Sequence, residues 1–533
     1  MNAKSDDLPN PDLVIGAFTS HGPWTVEPDA MAWRRNVDQL RSRTQSSVPK
    51  LIDRRRTPSL RLAHVAAVLS AAVGPWAARK RFKSDSVTQA DLARRVRLAF
   101  EKLGPTYIKL GQIVASAEGM LPTEVVEEFK SCRDQVPPEP FEVIREIVER
   151  ELGAPLGELF ASFDGITIAA ASIAQVHSAR LHDGADVVVK VQRPSVSSVV
   201  PADLQTMAWL APLVEKRVPQ LALANLPAYV ELFAETIVEE LDFRLEAQNM
   251  LDVAAVLAKT EQRSVVVPRP HPSLVTKRVL VMERLHGYKI DDAKAIRDAG
   301  IDASKVFTSL LVSFYEGAGI YGVFHGDLHG GNMIVTPDGE VGIFDFGITG
   351  RFDDTARTAL MRLLLSGLID DVRAQICAIR DLGGFPPDVD VSALVAMIDV
   401  EELRNATGNA SSEELAIHMR DLMKQLIDHG GRIPKSLFLY MKGMIYLNGA
   451  TAALASDVNI LDMIGEVFAH FAKNHGDSIV TDFGIDLSTI SVAEVMQAQM
   501  GAQLGVDVSD GITFREMSEI QSKRMGELRG NAS

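Results

Sequence analysis

The spacing of apolar residues changes along the chain, and the changes divide it. Residues 92–103 carry apolar positions at helical spacing, and Gly104-Pro105 interrupts them. Helical stretches resume at Thr106 and over 124–132 and 140–152, with Gly119, Pro122 and Val136-Pro137-Pro138 as breaks. From Leu159 the pattern becomes that of strands: Ile166-Thr167-Ile168, then 175–181, then Val187 to Val191 after a His182-Asp183-Gly184 turn. A helix is expected over 236–249. Two further strands at Val265-Val266-Val267 and 279–283 would complete a five-stranded lobe with one inserted helix. A helix over 301–315 leads to two short apolar strands, Met333-Ile334-Val335 and Val341-Gly342-Ile343-Phe344, joined by Thr336-Pro337-Asp338-Gly339. The rest to about Lys473 reads as helix, starting with 355–365 and broken at Pro386-Pro387 and Gly430-Gly431. An irregular stretch follows from Asp477, with a last helix over 513–528. The class is α+β, with a five-stranded amino-terminal lobe and a mostly helical carboxy-terminal lobe.

Residues up to about Pro49 are polar and Pro-containing, which predicts weak order. Between Arg54-Arg55-Arg56 and Arg79-Lys80-Arg81 runs an uncharged stretch, 62–78. It is shorter than the ~20 apolar residues that a spanning helix needs and holds Pro75, so a buried or partner-facing helix is expected, with an interfacial membrane helix as the alternative. Net charge is −15, yet residues 34–109 hold 18 Lys or Arg against 5 Asp or Glu. That segment could lie against anionic lipid or pair with the acidic body of the same chain; no nucleic-acid partner is expected. Cys132 and Cys377 stand far apart without metal-ligand spacing, which excludes a disulfide scaffold and a cysteine zinc site. The polar start has no signal-peptide core, so a cytoplasmic protein peripheral to a membrane is expected.

The chemistry gathers at Phe324-His325-Gly326-Asp327-Leu328-His329-Gly330-Gly331-Asn332 and at Asp345-Phe346-Gly347. An acid precedes the hairpin, an amide stands just before its first strand, and a second acid follows its last. This is the arrangement of a phosphotransferase: Asp327 to orient or deprotonate an attacking hydroxyl, Asn332 and Asp345 to hold magnesium on nucleotide phosphates. A second His475-Gly476-Asp477 and Asp482-Phe483-Gly484 has neither the hairpin nor the Asn and reads as a loop after a helix. Lys190 sits in an apolar strand, where it is costly to bury unless paired. Glu239, Glu240, Asp242 and Glu246 are the candidate partners; the last two, four apart, would share a helical face. A kinase holds its nucleotide under a glycine-rich loop; here Ala169, Ala170, Ala171 and Ser172 occupy that place. Glu283 and Leu285 fall where a kinase hinge meets adenine. After Gly347 the chain enters helix almost at once, without the long segment on which protein kinases seat a peptide.

With these residues the chain resembles the UbiB family of atypical, protein-kinase-like proteins, over about 92–380. The elements that carry the resemblance are Lys109-Leu110-Gly111-Gln112, the alanine loop, residues 189–194, Glu240-Leu241-Asp242 and the two motifs around the hairpin. Gly330 replaces the family's usual Pro and Ala174 a common Gly, and the hydrophobic carboxy-terminal helices of many bacterial members are missing. The resemblance implies a bilobal kinase-like fold in which helices bearing Lys109 and Gln112 form a lid over the active site. Lys109 would pair with Glu240, Glu246 with Lys190, and Asp242 would belong to the lid element. It implies ATP or ADP and Mg2+ as cofactors, disfavours protein substrates, and favours ATP hydrolysis or a lipid-like or quinone-precursor substrate. A nucleotide-sensing scaffold and a small-molecule phosphotransferase are the rivals. The expected divisions are 1–90 (basic and variable), 91–158 (helical extension), 159–290 (amino-terminal lobe), 291–475 (carboxy-terminal lobe) and 476–533 (tail).

Overall fold

The computed structural model describes residues 18–19, 22–24, 28–55, 60–82, 89–115, 123–131, 137–217, 226–260, 264–369, 371–397, 429–454, 456–487, 490–520 and 523. Cys132 and the far end of the expected last helix lie outside these residues. Helices α1 (Val37–Leu51), α2 (Leu60–Phe82), α3 (Gln89–Leu103), α4 (Pro105–Ala115), α5 (Thr123–Phe129) and α6 (Phe141–Leu152) precede a sheet. The first contradicts the expectation of weak order before Pro49. α1 is mostly polar, but Val37 and Val48 are buried and Arg41 reaches Asn249 at 3.0 Å and Glu239 at 3.4 Å, so distant partners hold it in place.

The sheet orders its strands β1 (Ser162–Ala170), β2 (Ala174–Arg180), β3 (Asp186–Gln192), β6 (Val279–Glu283) and β5 (Pro270–Val275), all antiparallel. The count of five is as expected, but the membership is corrected. Val265–Val266, β4, pairs in parallel with Val341–Gly342 of the other lobe, and the strand that replaces it begins Pro270-His271-Pro272, a polar start that hides it. Period-two alternation explains how the sheet is covered. Val187, Val189 and Val191 point to one face and are fully buried with Ile144, Ile147 and Val148 of α6. Val188 and Lys190 therefore point to the other face, into the cleft between the lobes.

Between β3 and β4 the chain forms α7 (Val196–Arg217), α8 (Leu226–Ile237) and α9 (Phe243–Lys259), where one helix was expected. The anticipated helix over 236–249 is broken by a 3-10 turn at Glu239–Leu241. Asp242, extended, caps α9 by accepting the Arg244 N–H, so it does not share a helical face with Glu246.

In the second lobe α10 (Ala303–Gly319) leads to β8 (Val323–His325). The hairpin β9 (Met333–Val335) and β10 (Val341–Ile343) pairs as expected, its turn closed by Gly339 at φ +81°. β7 (Tyr288–Lys289) joins it on the outer side of β9. Thr349–Arg351 then forms β11 against β8, with Thr349 opposite His325, and the chain runs into α11 (Asp354–Leu368) and α12 (Val372–Asp381). Helices α13 (Lys435–Leu454), α14 (Ile460–Phe483) and α15 (Val492–Leu504) complete the described lobe. The second His-Gly-Asp is not a loop: it lies within α14. Residues 514–520 are helical, the described part of the expected last helix.

α2 is 23 residues long and includes Pro75. Its Leu60–Arg79 portion is the one helix among the described residues long and apolar enough to cross a membrane. Of the expected buried or partner-facing helix, burial within this chain is not what the structure has: only 6% of that window is buried, Val65 being the buried residue, while Val68 and Leu69 pack partly against the core.

Ile144, fully buried beneath the sheet, and Ile166, 78% exposed on β1, give a paired test. Ile144→Ala should cost about 2–5 kcal/mol in urea unfolding, whereas Ile166→Ala should stay within about 0.5 kcal/mol.

Candidate active site

A cleft of about 1520 Å³ between the lobes is lined by Lys109, Gln112, Ala169, Ala170, Ala171, Ser172, Lys190, Glu240, Glu246, Glu283, Leu285, Asp327, Asn332 and Asp345. Of the candidate site residues, Glu239, which pairs with Arg41 and Lys435, and Asp242 are not on its wall. The Asp242 carboxylate is occupied by α9 and by Arg244 at 2.7 Å.

Lys190 settles which acid partners it. Its Nζ lies 2.7 Å from Glu246 Oε1 and 3.0 Å from Asp345 Oδ1. Burial works against the ammonium, but the two carboxylates outweigh it and raise the pKa above its ordinary value. Burial pushes Glu246 up to about 7 against the pull of Lys190. Burial also acts upward on Asp345, yet Lys190 and Lys109 hold it well below the usual carboxylate range. Asp345 adopts φ +64°, a left-handed backbone uncommon outside glycine, though Asp takes it more readily than most residues. Two successive peptides after its Cα are held: His325 Nε2 donates to the Asp345 carbonyl at 3.0 Å, and Asn249 Nδ2 donates to the Phe346 carbonyl at 2.8 Å.

His325 also accepts the Asp327 N–H on Nδ1 at 3.1 Å, so one neutral ring fixes the backbone of both acids. Asn332 donates its Nδ2–H to the Asp327 carbonyl at 3.0 Å. The Asp327 side chain meets Lys442 of α13, with Nζ 2.7 Å from Oδ1. Burial would raise the Asp327 pKa, but Lys442, Lys109 and His329 bring it down to about 2.

The lid helix is α4, where Lys109 pairs with Glu240 at 3.2 Å and Gln112 joins it on the cleft wall. Burial raises the Glu240 pKa, with Lys109 opposing. The alanine loop is tied down: the Ala171 N–H donates to the Ala174 carbonyl at 2.8 Å, and Arg193 Nε donates to the Ala171 carbonyl at 3.0 Å. At the hinge, Glu283 is held by Arg269 at 3.3 Å and by the Thr19 hydroxyl, so its carboxylate is already engaged. Gly287 crosses the hairpin where a Cβ would lie 2.4 Å from the Val335 carbonyl oxygen, which keeps the hinge close to β9.

Asn332 and Asp345 fit a magnesium ion by the chemistry of their donors. With Nδ2 of Asn332 spent on Asp327, its amide oxygen is the atom left for a cation. Lys190 and the Gly347 N–H both act on Oδ1 of Asp345, and neither engages Oδ2. Charge points the same way. The innermost ion pairs set Lys109, Lys190 and Lys442 against Glu240, Glu246, Asp327 and Asp345, so polyphosphate would enter a cleft with one more acid than base.

Sequence reasoning passes over Lys442, although the argument that flagged Lys190 applies to it: a lone lysine among Phe438, Leu439, Tyr440, Met444 and Leu447 needs a buried partner. Away from the cleft, His470 and His475 of α14 each place Nε2 2.7 Å from Oε1 of the buried Glu316. Asn474 donates to Nδ1 of His470 at 3.2 Å, which leaves Nε2–H as the donor to Glu316. The second His-Gly-Asp thus supplies a hydrogen-bonded clasp between α10 and α14.

Fold and cleft together define an atypical kinase-like protein. The ABC1 atypical kinase-like domain matches residues 131–378. An uncharacterised protein of Mycobacterium tuberculosis is 34% identical, over 76% of this chain and 82% of that one. An uncharacterised chloroplastic aarF domain-containing protein kinase of Arabidopsis thaliana is 32% identical, over 69% of this chain and 72% of that one. A probable protein kinase UbiB of Marinobacter nauticus is 35% identical, over 61% and 59%. The chain belongs to the UbiB family of atypical kinase-like proteins.

Burial lowers the His325 pKa from 6.5 to about 4. The folded state therefore binds this proton less well than the unfolded state. Its contribution is complete above pH 6.5 and is lost as pH falls towards 4, on the order of 3 kcal/mol in all. Urea unfolding across that window should show a shallower decline for His325→Asn than for the unmodified protein.

Proposed function

We propose that the protein is an ATP- and magnesium-dependent atypical kinase or ATPase that supports isoprenoid quinone or lipid metabolism. The observation that carries this is the convergence of Lys190, Glu246, Asp327, Asn332 and Asp345 on one cleft beneath a lid helix. Lys190, fixed by Glu246, would hold the nucleotide phosphates. Asn332 and Asp345 would hold magnesium, which supplies charge neutralisation on those phosphates when bound. Asp327 would orient the attacking hydroxyl or water. With its pKa near 2 it stays ionised and accepts a hydrogen bond more readily than a proton. The alanine loop, Glu283 and Leu285 would frame the adenosine, consistent with their positions on the wall.

The substrate class rests on what the lid leaves open. α4 lies over the cleft, and β11 carries the chain from Asp345-Phe346-Gly347 into α11 with no peptide-seating segment. This supports a small or lipid-like acceptor, or water, over a protein. The family resemblance supports quinone or lipid metabolism, and the largely unburied apolar α2 supports work at a membrane surface, with the basic amino-terminal region as the contact.

Thermal unfolding with ATP or ADP, with and without magnesium, tests the nucleotide site. A ligand at a hundred times its Kd should add about 2.7 kcal/mol. The magnesium-dependent part should vanish in Asp345→Asn, and Lys109→Ala should bind nucleotide more readily by releasing the lid. No stabilisation of either the unmodified chain or Lys109→Ala at saturating nucleotide would refute the proposal.

A further inference from the structure

The segment that joins Asp327 to Asn332 is Leu328-His329-Gly330-Gly331, with neither lysine nor arginine. The cation beside Asp327 comes instead from α13, which follows the hairpin by about a hundred residues of sequence. Lys442 is 4% exposed and its Nζ lies 2.7 Å from Asp327 Oδ1. Its position is built rather than incidental. Tyr446, one turn further along α13, places its ring centroid 5.5 Å from Nζ and packs edge-on against His329 at 5.9 Å. Gly443, the next residue, lets α13 come close to α10: a Cβ there would lie 2.7 Å from the Phe314 ring.

Lys442, Asp327, Asn332 and Asp345 line the same cleft, and Lys190 reaches it from the opposite lobe. Lys190 is bound to two carboxylates, Glu246 from its own lobe and Asp345 from the other, whereas the ion pair of Lys442 among the described residues is with Asp327, the acid that the transferring phosphate must approach. Resting on the kinase or ATPase function above, we propose that Lys442 is the protein's contact for the terminal phosphate of a nucleoside triphosphate. It holds Asp327 when the cleft has no triphosphate and shares itself with a terminal phosphate oxygen when one enters. This assigns the phosphate pocket a cation from each lobe, so the triphosphate draws α13 and β3 together while a diphosphate meets only Lys190. It also gives Asp327 a reason to be held strongly ionised at rest: a charged acid keeps the lysine in place until phosphate competes for it.

The ratio of ATP to ADP affinity, measured by calorimetry with magnesium on the full chain, tests this directly. Lys442→Met removes the cation but leaves Asp327 uncompensated and could impair folding, so the decisive comparison is made in Asp327→Asn. There, adding Lys442→Met should weaken ATP binding about tenfold, the scale of one charge-assisted contact, and change ADP binding less than about twofold. Lys442→Arg in the same background should retain most of the preference for ATP. A lysine that served only to pack α13 would lower the melting temperature and leave the ATP-to-ADP ratio unchanged; that outcome overturns the assignment. Should neither the unmodified chain nor Lys109→Ala bind either nucleotide, the kinase or ATPase function fails and this contact with it. Nucleotide binding with a ratio indifferent to residue 442 removes the contact alone.

Discussion

An ammonium group cannot be left alone in a protein interior, and the cleft is arranged around that fact. Lys190 points away from the α6 side of the sheet because its neighbours Val189 and Val191 point towards it. Taking its charge out of water costs several kcal/mol unless carboxylates with good geometry offset it. The partners come from two separate elements, Glu246 on α9 and Asp345 at the end of the hairpin. A single strand residue thus fixes where a helix and the other lobe must stand. The left-handed backbone of Asp345 is held in place by His325 and Asn249, which bond the two successive carbonyls at and after it.

The same rule recurs at the edges of the cleft. Lys109 and Glu240 bring the lid helix onto the turn before α9, and Lys442 and Asp327 bring α13 onto the motif after β8. Each pair joins segments remote in sequence, and each uses a group that polyphosphate would also attract or repel. Stability and any response to polyphosphate would therefore rest on the same contacts.

Much of this was legible in the chain itself. A lysine inside Val187 to Val191 demanded a carboxylate, and the hairpin between Asn332 and Asp345 was plain from its Pro-Asp-Gly turn. Simple spacing could not choose among Glu239, Glu240, Asp242 and Glu246; the family resemblance supplied the pairings of Glu240 and Glu246 that the structure contains. What escaped did so for physical reasons. β5 starts with prolines and a histidine and earns its place only by pairing with β6. Val265–Val266 has no local sign of which lobe it will join. α1 is mostly polar and is held by Glu239 and Asn249 far along the chain. The break at Asp242 is a capping event inside a sequence of good helix formers. Lys442 was hidden by its distance from the motif it serves, and the second His-Gly-Asp was misplaced because a glycine in mid-helix reads as a stop.

The positions of Lys109 and Lys442 have a consequence for how the protein comes into being. One belongs to the helices that precede the first lobe, the other to a helix well beyond the hairpin, and the cleft has its full wall only when both are in place. On a ribosome the sheet, α9 and the hairpin can assemble while α13 is still unmade, with Asp327 facing water and no lysine beside it. The finished balance of charge arrives last. Pairing of Asp327 therefore waits on a helix made about a hundred residues after the hairpin, and completion of the cleft becomes a late event set by the order of the genetic message.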